Sequence, residues 1–317
     1  MTTVTADPGV VSAADTVAVC DTVAAYATRL DAERLAGRTV GVVLTMGALH
    51  DGHASLIRRA AAECDVVAVS VFVNPTQFAE AADLTNYPRT LSADLEVATR
   101  AGASVVFAPP VDEMYPGWPT VPATTVTVRT ATDRWEGVSR PGHFDGMSTV
   151  VVKLLSASGR CRTYFGEKDF QQLAVVRRVV RDLSLPVEVV GCETIREADG
   201  LALSSRNVRL SGDERSAAVC LSRALRAGAR ALSAGADRGG VERAMSEVVA
   251  REPLVTLDYA ACVDADDLEP ATATGGGSPL RLLIAATVGP VRLIDNLDPR
   301  RPDTLHLDVR RPDTRTP

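Results

Sequence analysis

Apolar positions along the first two thirds of the chain fall into two alternating patterns. Short β-branched runs, RTVGVVLT (38–45), DVVAVSVFV (65–73), ASVVFAP (103–109), CRTYF (161–165) and VEVVGC (187–192), predict strands buried on both faces. The segments between them, 53–64, 91–102, 144–158 and 169–183, predict helices. In the last of these Leu173, Val176, Val180 and Leu183 recur at three- and four-residue steps, as one buried helical stripe requires. Ser92 is the expected N-cap of the second helix and Gly102 its stop. Such strands alternating with helices imply an α/β fold, a parallel sheet with right-handed crossovers.

The pattern changes after about residue 195. Two Ala/Arg-rich helices (213–232 and about 239–251) precede a strand at 257–264 and two further apolar runs, LRLLIAATV and VRLIDNL, on either side of Gly289-Pro290. Helices followed by a small antiparallel sheet predict a second, α+β domain. The expected division is a disordered N-terminus (1–15), a larger domain (16–194), a smaller one (195–297) and a disordered tail (298–317). TATGGGSP (272–279) is the expected flexible insert.

Composition narrows the function. A net charge of −6 argues against nucleic acid or an anionic membrane as the main partner. No apolar run is long enough to cross a bilayer and no signal peptide is evident, so the expectation is a cytoplasmic protein. Six scattered cysteines without a C-x-x-C predict reduced thiols, neither a disulfide frame nor a zinc site. Of the 34 basic residues all but Lys153 and Lys168 are arginine, which singles out positions where a compact ammonium is wanted.

Two of the four histidines lie three residues apart in TMGALHDGH, Thr45 to His53. This loop joins the first clear strand to a helix, and in open α/β sheets ligands bind at the carboxyl ends of strands. Gly47 and Gly52 let the backbone turn sharply and approach a ligand. The helix start offers unpaired N–H groups to an anion, and His50 and His53 add donors, so the stretch predicts a polyphosphate clamp. H-x-x-H as a metal pair and two satisfied turn histidines remain open alternatives at this point. NPTQF follows the next strand, and its amides, Asn74 and Gln77, suit a small polar substrate. GEKDFQQ repeats the strand–helix logic: Gly166 permits close approach, Lys168 reaches a phosphate, Asp169 caps the helix or binds a ribose hydroxyl, and Gln172 lies on the same side. ADGLALSSRN ends in hydroxyls and a guanidinium, Ser204, Ser205 and Arg206, able to hold phosphate oxygens. RPGHFDG (140–146) is read as a mobile loop before a helix.

TMGALHDGH, FVNPTQF, YPRT, RPGHFDG, YFGEKDFQQL and READGLALSSRN together, in this order, resemble the motifs of the pantothenate synthetases, the pantoate–β-alanine ligases. The resemblance runs from about residue 38 to Leu297. It implies a homodimer with a Rossmann-like parallel sheet of the class I synthetase and nucleotidylyltransferase type and a smaller C-terminal lid domain. It implies that Mg·ATP and pantoate give pantoyl adenylate and pyrophosphate, and that β-alanine then displaces AMP to form pantothenate. His50 and His53 would meet the ATP phosphates, His53 as the catalytic one, with Lys168 and Arg206 sharing the catalytic charge. Met46, Gly47, Gly52, Gly166, Glu167, Lys168, Asp169, Ser204, Ser205 and Arg206 would complete the ATP contacts, with Ile195 and Leu203 flanking adenine. Gln77 and Gln172 would bind pantoate, Gln77 also near β-alanine, with Met46 and Asn74 beside them. Three positions depart from the family: Leu44 stands for a usual proline, Ala93 for a frequent acid, and Leu203 for a frequent methionine. Two other functions fit parts of the pattern, a nucleotidylyltransferase of the same superfamily and a non-catalytic ATP-binding module.

Overall fold

The computed structural model describes residues 17–78, 81–120, 122–272 and 279–302. In chain order, the first half holds β1 (Ala18–Cys20), α1 (Val23–Leu35), β2 (Val40–Thr45), α2 (Asp51–Glu63), β3 (Val66–Val71), α3 (Ala81–Asn86), α4 (Leu91–Ala101) and β4 (Val105–Phe107). Then come α5 (Val111–Met114), α6 (Glu136–Ser139), α7 (His143–Ser158), β5 (Cys161–Gly166), α8 (Phe170–Asp182) and β6 (Val187–Cys192). The remainder is α9 (Gly212–Ala218), α10 (Cys220–Ser233), α11 (Arg238–Val249), β7 (Val255–Asp264), β8 (Leu280–Val288) and β9 (Val291–Leu297).

Strands β1 to β6 form one parallel sheet in the order β1-β4-β3-β2-β5-β6. Side-chain alternation splits its core in two. Val40, Val42, Val66, Ala68, Val105 and Phe107 pack with α1, α7 and α8, whereas Val43, Val67, Val69 and Val106 pack with α2 and α4. Both faces are covered, which is why the strands read as unbroken apolar runs. Leu44 keeps its place in the ladder opposite Ser70.

The second sheet is antiparallel, β7-β8-β9; Cys262, Leu282 and Ile284 share a core with α9, α10 and α11, while Ala261, Val263 and Leu283 join the larger core. The two-part α/β and α+β expectation is therefore met. One buried ion pair ties the chain entering this unit to its last strand. Arg196 forks onto Asp295 at 2.7 and 2.8 Å, both side chains being 3% exposed, and also donates to Gly200 O and Asn296 O.

Several local expectations change. β1 and α1 were not expected: the three-residue β1 pairs with β4 at the sheet edge, and α1 buries Tyr26 and Leu30 in the larger core. Ser92 lies inside α4; Thr90 holds the N-cap position without a side-chain bond, while Gly102 ends the helix in the left-handed conformation, as expected. RPGHFDG is no loose loop, because α7 begins at His143, whose side chain is buried. The expected helix 213–232 is two helices meeting at Val219. Residues 298–302 form a turn in which Asp298 accepts from Arg300 N at 2.9 Å. The N-terminus (1–15), the rest of the tail from 303 and 273–278 of the insert lie outside the described residues. No helix among the described residues is long and apolar enough to cross a membrane.

Removing one member of a buried ion pair strands the other in a low-dielectric interior. Asp295→Ala is expected to lower unfolding free energy by about 3–5 kcal/mol in urea titration. An unchanged midpoint would show that Arg196 finds solvent without its partner.

Candidate active site

The strand order reverses between β2 and β5: from β2 the sheet grows through β3 and β4 to one side, and β5 and β6 lie on the other. The loops leaving the carboxyl ends of these two neighbours flank the crevice where such sheets bind ligands. They are the loops of TMGALHDGH and GEKDFQQ.

The first loop is locked by polar groups from its neighbours. Thr45 Oγ1 donates to Ser70 O at 2.6 Å and accepts from Gly47 N at 3.1 Å. Asp94, 2% exposed on α4, accepts from Ala48 N at 3.1 Å and Leu49 N at 2.7 Å. Gly47 has φ +82°, and a Cβ there would sit 3.0 Å from the Asp94 carboxylate. Asp94 was not among the expected site residues. Its signal was an acid on the same helical face as Ala98 and Ala101, which are buried.

The two histidines then cap α2 reciprocally. His50 Nδ1 accepts from Gly52 N at 3.1 Å, and His53 Nδ1 accepts from His50 N at 3.3 Å. Ring centroids are 4.1 Å apart. Gly52 must lack a Cβ, which would lie 2.8 Å from the His50 ring. An Nδ1 that accepts from a backbone N–H is unprotonated, so each neutral ring carries its proton on Nε2. Burial, and then the neighbouring His50, push His53 down to about 4; burial and Lys168 lower His50 as well. The pair is therefore neutral at pH 7, and what it offers an anion is two Nε2–H donors without added charge.

NPTQF follows β3 as a tight turn at Pro75–Gln77. Asn74 is 1% exposed and fully engaged: its amide donates to Gln77 Oε1 at 2.7 Å and Gly146 O at 3.1 Å, and its oxygen accepts from Tyr115 at 2.9 Å. Asn74 thus has no free polar atom for a substrate and acts by holding Gln77. Gln77 keeps its Nε2 without a partner among the described residues, and its carbonyl lies 3.3 Å from His143 Nδ1. Burial, and then Arg140, push His143 down to about 4.

At the second loop, Gly166 has ordinary backbone angles, and a Cβ there would meet open space. Glu167–Asp169 make one 3-10 turn into α8, and Asp169 makes no side-chain cap bond. Lys168 and Asp169 share a cleft of about 460 Å³ with Arg140, His143, Gln172 and Tyr259. Lys168 Nζ is 3.7 Å from Asp169, whose side chain is half exposed. Enclosure works to raise the Asp169 carboxyl, but Lys168, Arg206 and Arg140 outweigh it and hold it below its ordinary value. Arg140 has no ion-pair partner among the described residues, and burial with the nearby Arg206 destabilises its charge. Lys168, Arg206 and Arg140 thus converge on Asp169.

Ile195 and Leu203 face each other across a short hairpin, Leu203 N donating to Ile195 O at 2.9 Å. Ser204 caps the turn Ser205–Arg209 by accepting from Arg206 N, and Ser204, Arg206 and Lys168 line one further pocket. Met46 is half-buried between Thr45 and Gly47. Sequence reasoning missed the contribution of the second sheet. Arg281 and Asn296 are buried and reach Glu167 and the backbone of the second loop; their signal was a polar residue inside an otherwise apolar strand.

A family model described as Pantoate-beta-alanine ligase matches residues 18–298. The pantothenate synthetase of Rubrobacter xylanophilus is 53% identical over 270 residues, 82% of this chain and 91% of that protein. That of Salinispora arenicola is 53% identical over 260 residues, 82% and 90% of the two. A crystal structure of pantothenate synthetase from Thermus thermophilus matches with a TM-score of 0.81 at 44% identity, covering 89% of this chain and 99% of that one. The pantoate-beta-alanine ligase of Francisella tularensis, complexed with beta-gamma ATP and beta-alanine, matches at 0.70 and 31% identity over 90% and 98%. A parallel sheet with its loops gathered at the β2–β5 crevice, and relatives alike over nearly their whole length, lead to one conclusion: the chain belongs to the pantoate-β-alanine ligase family.

Proposed function

We propose that the chain joins pantoate to β-alanine through a pantoyl adenylate, with His50, His53, Lys168 and Arg206 stabilising the adenylation transition state. ATP-dependent ligation of these two substrates is the family's activity, and the Francisella relative was solved with beta-gamma ATP and beta-alanine. The observation that carries the residue-level reading is the reciprocal histidine cap, which leaves each neutral ring its Nε2–H within the electrostatic reach of Asp169, and His50 also within that of Lys168.

In the first step a pantoate carboxylate oxygen bonds to the α-phosphorus, the bond from that phosphorus to the bridging oxygen breaks, and pyrophosphate leaves. Negative charge gathers on the phosphate oxygens, where fixed donors and cations act most strongly in a dry cleft. Neutral imidazoles donate there without having to titrate. Gln77 and Gln172 orient pantoate, Asn74 setting the first of them. In the second step the β-alanine nitrogen attacks the acyl carbon, one N–H proton is lost, and the acyl–oxygen bond to AMP breaks. Positioning and electrostatics carry both steps. Ile195 and Leu203 hold adenine, and Ser204 and Ser205 add hydroxyls to the phosphate contacts.

Mg²⁺ belongs to the substrate, as Mg·ATP, and supplies charge on the phosphate oxygens. Asp169, held ionised among Lys168, Arg206 and Arg140, is an acid that would be available to that ion. The same reading divides the chain near residue 195, makes the smaller unit a lid that keeps the adenylate from water, and gives a cytoplasmic homodimer.

Incubation with Mg·ATP, pantoate and β-alanine is expected to yield free AMP and pantothenate together. A stable AMP conjugate would favour a nucleotidylyltransferase, and ATP binding without turnover a non-catalytic module. His53→Ala is expected to lower pantoate-dependent exchange of labelled pyrophosphate into ATP by about a hundredfold or more. Near-normal exchange would refute its role. With His53 near 4, kcat/KM for ATP is expected to stay level from about pH 6 to about pH 8. A required imidazolium would instead give a rate that falls as pH rises through about 6.5.

A further inference from the structure

Asn296, near the end of β9, is 3% exposed and uses its whole amide. Its Nδ2 donates to Glu167 O at 2.9 Å and Lys168 O at 2.8 Å, and its Oδ1 accepts from Arg281 Nε at 2.7 Å. Two donors and one accepted bond suit an asparagine and no other side chain of that size. Arg281 continues the contact, donating to Glu167 Oε2 at 2.9 Å and lying 4.1 Å over the Phe170 ring. The Asn296 backbone is itself held: its N–H donates to Asp295 Oδ1 at 2.7 Å, and its carbonyl accepts from Arg196 at 3.2 Å.

We infer that Asn296 is a positioning residue for nucleotide activation: by fixing two successive carbonyls of the second loop, it sets where Lys168 stands. The loop is a single 3-10 turn leading into α8, so the two carbonyls held by Asn296 fix the backbone from which the Lys168 side chain leaves. Asp169 makes no cap bond of its own, so the turn depends on this outside support. The Arg196–Asp295 pair anchors the same strand end and the hairpin that carries Ile195 and Leu203. The walls on both sides of the nucleotide are thereby referred to one dipeptide of β9. This rests on the ligase reading above.

The test compares wild type, Asn296→Ala, Asn296→Asp, Lys168→Ala and the Lys168→Ala/Asn296→Ala double variant in pantoate-dependent pyrophosphate exchange. Asn296→Asp keeps the shape and the acceptor for Arg281 but sets an oxygen against two carbonyls, so it separates lost donors from lost packing. Each single Asn296 variant is expected to raise KM for ATP about tenfold or more and to leave KM for pantoate within about twofold. In the Lys168→Ala background, adding Asn296→Ala is expected to change exchange by less than about twofold, because the two act as a unit. Wild-type KM for ATP in both single variants overturns the inference. So does an equal loss in both backgrounds, or a lowered melting midpoint with KM for ATP unchanged, since these are what a purely structural residue gives. Absence of exchange in wild type would instead overturn the ligase reading itself.

Discussion

At the start of α2 two backbone N–H groups meet imidazole nitrogens where a hydroxyl or carboxylate would ordinarily accept. That choice of acceptor ties helix capping to chemistry. Because Nδ1 is spent on the backbone, the ring proton must sit on Nε2, and burial keeps the second proton off. Folding thus sets tautomer, charge and direction in one arrangement. Much of the surrounding sequence serves it: Gly52 leaves room for the His50 ring, Thr45 holds Gly47, and Asp94 binds the two N–H groups between them.

Neutral donors alone would do little against a triphosphate, and the charge comes from other elements. Lys168 arrives on the loop after β5, Arg140 on the turn before α7, and Arg206 on the turn after the Ile195–Leu203 hairpin. Asp169 stands among them, kept ionised by their combined field. A second polar seam joins the antiparallel sheet to α6 beside the cleft. Arg292 forks onto Glu136 at 2.8 Å and reaches Asp258 at 2.7 Å, while Tyr259 donates to Glu136 at 3.0 Å.

Much of this was legible in the chain itself. Strands buried on both faces announce themselves as unbroken β-branched runs, so β2 to β6 stood out, whereas the three-residue β1 at the edge did not. Glycine and histidine in TMGALHDGH marked the first loop, and Gly-Glu-Lys-Asp the second. What the sequence hid was division of labour among polar residues. Asn74 and Gln77 look alike in a row of letters, but one is enclosed by Tyr115 and Gly146 while the other's Nε2 has no partner among the described residues. The charge and tautomer of the histidines were hidden for the same reason: burial and the partner of Nδ1 are tertiary facts. Asn296 lay 128 residues from Lys168, beyond any local pattern.

The most direct measurement is long-range ¹H–¹⁵N correlation of the imidazole nitrogens in ¹⁵N-labelled protein at pH 7, tractable because the chain has four histidines. His50 and His53 should both show a protonated Nε2 and an unprotonated Nδ1. Either ring found as the Nδ1–H tautomer, or as an imidazolium, would contradict the reciprocal cap and the neutral donors built upon it.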